Sequence, residues 1–555
     1  MSLISALNIG SSALATQQAA LQVTSNNIAN AGNADYTRQS ASITSNPDHQ
    51  VQSGIFLGSG INLTAVNRQI DNALVIRLRS STSDAESADT TQQWLGRVES
   101  VFNELSDDDL STQMSTFFNS WSNLANSPQD VGLRQVVLQN GASLGKFFND
   151  MRGQMSSIAG DASDQLKALA GNADDLSKQV ADLNSQITVA EGGTGGEASG
   201  LRDQRDAVLK QLSQLMDIHT VQDGSSVNVY IGSQPLVAGT MSRGVAIRPD
   251  PQAGAVLTFK NNGAAIPVSG GQMGALVAIQ SQINDVGGQI DSIAGSLIFE
   301  LNKVHASGQG LQGFNSLTSA NAVADPTTAL GTSGLANMPA TGSFVIHIKS
   351  KSTGQEIASS FIKVDANTTL NDLAAQIDGV NYVSSSVSGG KLNIAGDSSD
   401  IQFSFSDDGK GVLAALGMNT FFTGQNAQDI AVNSLLTGNP SLLAAATNGK
   451  PGDNQSALAI ASLESAPLGS LGGNTLKATY QSIVNGVAVS ISSAKTNAAA
   501  AGAVRDTLEN QRQALSGVSM DEESINLMKQ QQAYQGAARL VSAIDEMMKT
   551  LLAMT

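Results

Sequence analysis

The stretch LISALNIGSSALATQQAALQVTSNNIAN, residues 3–30, decides how the whole chain is read. Leu7, Leu14, Leu21 and Ile28 recur every seven residues, with Ala6, Ala13 and Ala20 beside them, which is the spacing of a coiled-coil seam. The companion seam, Leu3, Gly10, Gln17 and Thr24, decays from apolar to polar, and no charged side chain occurs before Asp35. A helix of this kind is marginal alone in water and needs a partner. The other end of the chain supplies one: Leu527, Tyr534, Val541 and Met548 also repeat every seven, with Ile544 and Leu551 three residues after the later members.

Working inward from the C-terminus, positions from Leu476, Tyr480, Ile483 and Val487 through Ala494 and Ala501 to Val504, Leu508 and Leu515 step by fours and threes. This predicts one long bundle helix, broken at Gly517, with Asp521, Glu522 and Glu523 in the first turn of the next, where carboxylates complement free amides. Further helical faces are Trp94, Val98, Val101 and Leu105; Leu110 to Leu124, ended by Pro128; Leu166 to Ile187; and Leu276 to Val304. A helix near 201–216 follows the glycine-rich turn at 192–200. The middle differs. VNVYIG, VAIRP and VLTF in 217–270, and GSFVIHIKS, SSFIKVD, NYVSSSVSGGKLNIAGD and IQFSFSDDG in 312–425, are short β-branched runs between turn residues.

The expected architecture is a multidomain α+β fold of discontinuous, nested domains. Residues 1–60 and 517–555 pair as a terminal helical coiled-coil domain. Residues 61–216, 271–311 and 426–516 form a bundle of long helices, 217–270 a small β-rich module, and 312–425 a β-rich outer domain that projects outward.

A length of 555 residues suits roughly three or four domains. The net charge of −17 and pI near 4.6 oppose binding to phosphate backbones, so no nucleic-acid role is expected. No cysteine occurs, which excludes disulfides and thiolate metal sites. The N-terminus lacks the charged and apolar regions of a cleaved secretion signal, and no apolar run is long enough to insert in a membrane. Those features fit either a cytoplasmic chain or one exported without cleavage.

No motif announces chemistry. Gly308 to Gly313 spell G-x-G-x-x-G but follow a helix, not a strand, so a helix exit is the better reading than a dinucleotide turn. His49, His219, His305 and His347 belong to no metal-ligand spacing, and no nucleophile elbow occurs. The acidic runs at 107–109 and 521–523 read as helix caps and Trp94 and Trp121 as core. No catalytic residue, metal site or cofactor is expected.

The segment SNNIANAGNADYTRQ, residues 25–39, resembles the N-terminal motif of the bacterial flagellar axial proteins, whose usual form is Ser-Asn-Asn-Ile-Ala-Asn-Ala-Asn-Thr-Pro-Gly-Tyr. Ser25, Asn26, Asn27, Ile28, Ala29 and Asn30 match, as do Tyr36 and Arg38, while Gly32 to Asp35 replace the usual turn. Residues 516–552 are similar to the family's shared C-terminus, and the stretches 227–239, 270–280, 301–313 and 415–433 look like its members at the junction of hook and filament.

The resemblance implies a non-enzymatic, extracellular subunit that self-assembles as a helical ring or short polymer on the hook subunit. The second junction protein (hook-associated protein 3) and flagellin would follow it. It further implies export through the flagellar type III apparatus and an export chaperone on the C-terminal helix, with Leu527, Tyr534, Val541 and Met548 as the candidate surface. The polymerisation seam would comprise Leu3, Leu7, Leu14, Leu21, Ile28, Leu527, Tyr534, Val541, Ile544, Met548 and Leu551. Terminal helices with half-polar seams should order only when subunits pack. Tyr36 and Arg38 would either anchor the chain's exit against a neighbour or lie in a plain surface loop. A flagellin-like filament subunit, a surface adhesin and a hydrolase on the axial scaffold are the competing readings.

Overall fold

The computed structural model describes residues 3–52, 54–102, 109–193, 196–250 and 254–554; Leu105, Asp107, Asp108, Thr194 and Gly195 of the features above lie outside these. Helix α1 (Leu3–Ala29) opens the chain. Two antiparallel strand pairs follow, β1 (Gln39–Ser45) with β4 (Ile61–Arg68) and, between them, β2 (His49–Gln52) with β3 (Ile55–Leu57). Residues 39–68, taken with the helical sequences on either side of residue 60, are thus largely strand. Ile61, Leu63 and Ala65 of β4 alternate with exposed Asn62 and Thr64 but are only half-buried, and no residue of β1 is fully buried.

Helices α2 (Asn72–Phe102), α3 (Leu110–Asn126), α4 (Val131–Glu191) and α5 (Ser199–Leu215) come next. Asp109 caps α3 by accepting from the Thr112 amide at 2.6 Å, satisfying one of the free N-terminal donors. Strands β5 (His219–Asp223), β6 (Ser226–Ile231), β7 (Gln234–Ala238) and β8 (Met241–Ser242) form a four-stranded meander, and β9 (Val245–Asp250) pairs with β10 (Gly254–Phe259). Helix α6 (Gly271–Ala306) carries the chain onward, its Leu276, Ile279, Ile283, Ile290, Ile293, Leu297 and Leu301 all buried.

The second β-rich segment contains β11 (Ser316–Thr318), β12 (Gly342–Ser350), β13 (Glu356–Val364), α7 (Leu370–Asp378), β14 (Val383–Ser388), β15 (Lys391–Gly396) and β16 (Ile401–Ser406). Its two antiparallel sheets have the orders β13-β12-β16 and β11-β15-β14. Alternate residues of β12, Phe344, Ile346 and Ile348, meet Leu373 and Ile377 of α7 and Phe403 and Phe405 of β16 in one core. A reciprocal capping box between Thr369 and Asp372 starts α7. Short elements α8 (Val412–Leu416), β17 (Phe422–Thr423), β18 (Ala431–Val432), α9 (Ser434–Gly438) and α10 (Gln455–Ser462) lead to α11 (Leu476–Ser516) and α12 (Met520–Met554).

The chain is a multidomain α+β protein. Residues 1–94, 161–280 and 492–555 pack as one compact unit, and 95–160 with 281–491 as another, so each unit is built from separated stretches.

Candidate assembly site at the paired chain ends

Helices α1 and α12 pair in opposite directions. Gly10 meets Val541, Thr24 donates to Gln530 Oε1 at 2.9 Å, and Asn27 reaches Glu523 at 3.0 Å. The residues that α1 buries are Gly10, Thr16, Ala20, Thr24 and Asn27, small and mostly polar. A Cβ on Gly10 would stand 2.7 Å from Val541 Cγ2, so the absence of a side chain there sets the helix spacing. Leu3, Leu7, Leu14, Leu21 and Ile28 are only half-buried. On α12 Ile544 is buried, while Leu527, Val541 and Met548 are half-buried and Tyr534 and Leu551 are exposed.

A second stripe on α12 stays largely exposed, with Leu540 at its edge 3.8 Å from a Cβ placed on Gly10 of α1. Ile525, Leu540, Met547, Leu551 and Met554 fall on one side of the helix and are between 44% and 83% exposed. Helix α1 exposes Ser5, Asn8, Ser11, Gln18, Gln22 and Ser25 and bears no charge along its length.

The motif at 25–39 splits into two sets. Asn27 is 1% exposed and fully satisfied. Its Nδ2 donates to Gln39 O at 2.8 Å and to Glu523 Oε2 at 3.0 Å, and its Oδ1 accepts from Tyr36 OH at 2.7 Å and from the Gln39 amide at 3.0 Å. Arg38 then closes on the start of α12, with Nε 2.9 Å from Glu523 Oε1 and NH1 2.6 Å from Glu522 Oε2. Its backbone amide donates to Ser516 O, the last residue of α11. These contacts form a clasp that joins the end of α1, β1 and the α11–α12 break. Ser25, Asn26 and Asn30 instead line an open cleft of about 1170 Å³, and Ala29 is exposed.

Electrostatics hold the clasp together. Burial works against the Arg38 charge, but Glu522 and Glu523 outweigh it and raise its pKa. Burial, aided by nearby Asp203 and Glu523, pushes the Tyr36 phenol up to about 12, keeping it a neutral donor. Beneath the clasp, the Thr37 amide donates to Asp203, which pairs with Arg68 at 2.9 Å; Arg68 also meets Asp206 at 2.7 Å. Burial pushes the Asp203 carboxyl up, opposed in part by Arg68 and Thr37.

Sequence reasoning missed Arg68, Asp203 and Asp206 altogether and read Glu523 only as a cap. Glu523 keeps that place in the first turn of α12, yet it is 2% exposed and binds two residues almost 500 positions away. Only the dense charges of RDQRD at 202–206 offered a local signal.

The interior stretches resolve into packing. In 415–433, Phe421 lies against Gly141 of α4, where a Cβ would stand 2.7 Å from its ring. The amides of Phe421 and Phe422 both donate to Asn302 Oδ1. In 301–313, His305 is fully buried: Nδ1 bonds Asn419 O at 2.8 Å and Nε2 accepts from the Ala444 amide at 3.0 Å. A Cβ on Gly308 or Gly313 would lie 2.8 Å from Ser456 Oγ or Phe403 O, so these glycines permit close chain crossings. In 227–239, Val227 and Gly239 are both bound by Asn184.

Comparison with known proteins meets this geometry at both ends and in the middle. Residues 95–318 match the flagellar hook-associated protein FlgK helical domain, 510–554 the flagellar basal body rod FlgEFG protein C-terminal family, and 7–32 the flagella basal body rod protein family. Flagellar hook-associated protein 1 of Escherichia coli is 25% identical over 580 residues, covering 99% of each chain. Residues 95–318 carry the helical domain of flagellar hook-associated protein FlgK, and the likeness to hook-associated protein 1 runs the length of the chain. The Bacillus subtilis hook-associated protein 1 is 29% identical over 255 residues, 45% of this chain and 49% of that one. The solved flagellar hook junction protein FlgK from Burkholderia pseudomallei shares the fold, with a TM-score of 0.51 and 17% identity, over 79% of this chain and all of that one.

The hook-associated protein 1 family is a structural flagellar family. Among the described residues no group of three or more His, Asp or Glu is placed to hold a metal ion, and no helix is long and apolar enough to cross a membrane.

Proposed function

We propose that this chain is a structural subunit of the bacterial flagellum that polymerises with copies of itself on the distal end of the hook and forms the junction on which the filament grows. The observation that carries this reading is the pairing of the two chain ends, which leaves an uncharged α1 surface and an open apolar stripe on α12. Surfaces without ions dock with little desolvation cost, and exposed apolar stripes of this length mark protein contacts.

On this reading the subunit is extracellular, catalyses nothing and meets the hook subunit on one side and a second junction protein, hook-associated protein 3, on the other. It leaves the cell through the type III export apparatus without cleavage. The nested division set out from the sequence, chain ends inmost and residues 312–425 outermost, belongs to the same proposal. The seam of Leu3 to Ile28 with Leu527 to Leu551 then orders fully only in the polymer. An export chaperone on Leu527, Tyr534, Val541 and Met548 would occupy the stripe that includes Val541, the residue that meets α1. Capture and helix pairing therefore exclude one another.

The test is a strain lacking this chain, scored by immunoblot of flagellin in the medium and electron microscopy of the cells. Hooks without filaments, with unpolymerised flagellin outside, are the expected result. Normal filaments would overturn the junction role.

A further inference from the structure

The densest unexplained chemistry lies beneath the clasp, among β4, α2, α5 and the start of the β5–β8 sheet. A cavity of about 330 Å³ there is lined by Arg68, Arg79, Arg202 and Arg205, four of the fourteen arginines of a chain whose net charge is −17. Three of these cations are answered from within. Arg202 is forked onto Glu191 at 2.7 and 2.8 Å. Asp206 takes both Arg68 and Arg79, each at 2.7 Å, and Arg68 also reaches Asp203.

Arg205 is not answered. It is 1% exposed, yet its partners are neutral: NH1 donates to Asn184 Oδ1 at 3.0 Å and to Ser225 O at 2.7 Å. Among the described residues, no carboxylate lies within ion-pair distance of it and no acceptor meets its Nε or the Nε of Arg68. Burial pushes the Arg205 pKa down to about 10; Asp206 opposes this, while Arg202, Arg68 and Arg79 add to it. A buried cation without a counter-charge is costly, and guanidinium forks match planar or tetrahedral oxyanions in geometry.

The acids at the cavity do not fill the deficit. Asp206 already serves two arginines, and Glu197, 39% exposed at its side chain, is 3.8 Å from Arg202. The remaining walls offer neutral donors from Asn67, Asn72, Thr220 and Gln222. At about 30 Å³ per water, the volume holds an oxyanion with part of its hydration shell.

We propose that this cavity binds one small tetrahedral oxyanion of the phosphate or sulfate class, which supplies the direct ion-pair partner that Arg205 lacks among the described residues. The site is independent of the junction reading and holds whether or not the chain polymerises. Occupancy also ties β4, which carries Arg68, to α5, which carries Arg205.

The test is calorimetric titration of the full-length chain with inorganic phosphate, ionic strength held constant with sodium chloride so that general screening does not contribute. One saturable site per chain is expected, with sulfate competing and chloride not. Gln222→Glu places a carboxylate on an exposed part of the cavity wall, so it should weaken phosphate binding at least tenfold while the phosphate-free melting temperature stays level or rises. Arg205→Gln should abolish binding, but it also alters the contacts to Asn184 and Ser225. Gln222→Glu therefore decides the matter if that variant fails to fold. No saturable binding by the unaltered chain, or equal affinity in Gln222→Glu, overturns the proposal.

Discussion

Asn27 and Tyr36 show how a family motif can be a structural device: two residues nine positions apart use each other to complete a buried hydrogen-bond set that also involves Glu523. The Tyr36 hydroxyl must remain neutral to donate, and its raised pKa gives the test a sign. An acid whose folded pKa lies above its unfolded value stabilises the fold fully below the unfolded value, here 10, and that stability is lost as pH rises through the folded one, about 12. Phenolate absorbance of the unaltered chain minus that of Tyr36→Phe should therefore titrate with a midpoint near pH 12. A midpoint at 10 would mean a solvated phenol and an open clasp. The sequence showed these residues as a pattern only. Nothing in it pointed to Glu523 as their partner, because local spacing carries no information about groups brought together across the chain.

Helix α4 separates two meanings of glycine within one element of 61 residues. A Cβ at Gly153 meets nothing within 4 Å, whereas one at Gly141 would stand 2.7 Å from the Phe421 ring and 3.2 Å from that of Phe117. Gly153→Ala should stabilise the protein by about 1 kcal/mol through helix propensity. Gly141→Ala should destabilise it by about 1–3 kcal/mol by overpacking, despite the same propensity gain. Urea unfolding of both variants checks this, and a stabilised Gly141→Ala would show that the 415–433 segment does not sit tightly on α4. The sequence made such helices visible but not their exact faces. Along α11 the seven-residue repeat holds from Leu476 to Ala494, after which Ala498 and Ser516 are buried while Val504 and Leu515 are 55% and 40% exposed. A straight helix drifts about 20° per heptad from a 3.5-residue repeat, so a rule that is right for about five turns fails over about eleven. In α1 the same rule singled out the leucines, whereas Gly10, where the two helices approach too closely to admit a Cβ, is a residue that hydrophobic periodicity cannot score.

For the whole molecule, the fold class was legible because long helices and short strands leave periodicities of different length, and because the two ends carry matching half-polar repeats. The strands at 39–68 were not: Ile61, Leu63 and Ala65 alternate with Asn62 and Thr64, but the run is short, only half-buried and set between long helical repeats. The same burial pattern yields a prediction about order. Among the described residues, the buried apolar side chains run from Leu74 to Ala498, with only Ala20 in α1 and Ile544 in α12 outside that range. Fully burying one large apolar side chain contributes roughly 1.5–3 kcal/mol, against about 1–2 kcal/mol of backbone entropy for every residue fixed, so helices of 27 and 35 residues have little tertiary burial to sustain them. The clasp at Asn27, Arg38 and Glu523 fastens them at one end only. Amide exchange in the soluble chain should therefore be slow through the interior, intermediate at the clasp and fast in residues 3–20 and 535–554. On assembly, those end segments should become protected as neighbouring copies cover the apolar stripe of Leu540, Met547, Leu551 and Met554. Strong protection there in the unassembled chain would show that the pair is stable by itself, and the exposed stripe would then have to serve docking between helices that are already folded.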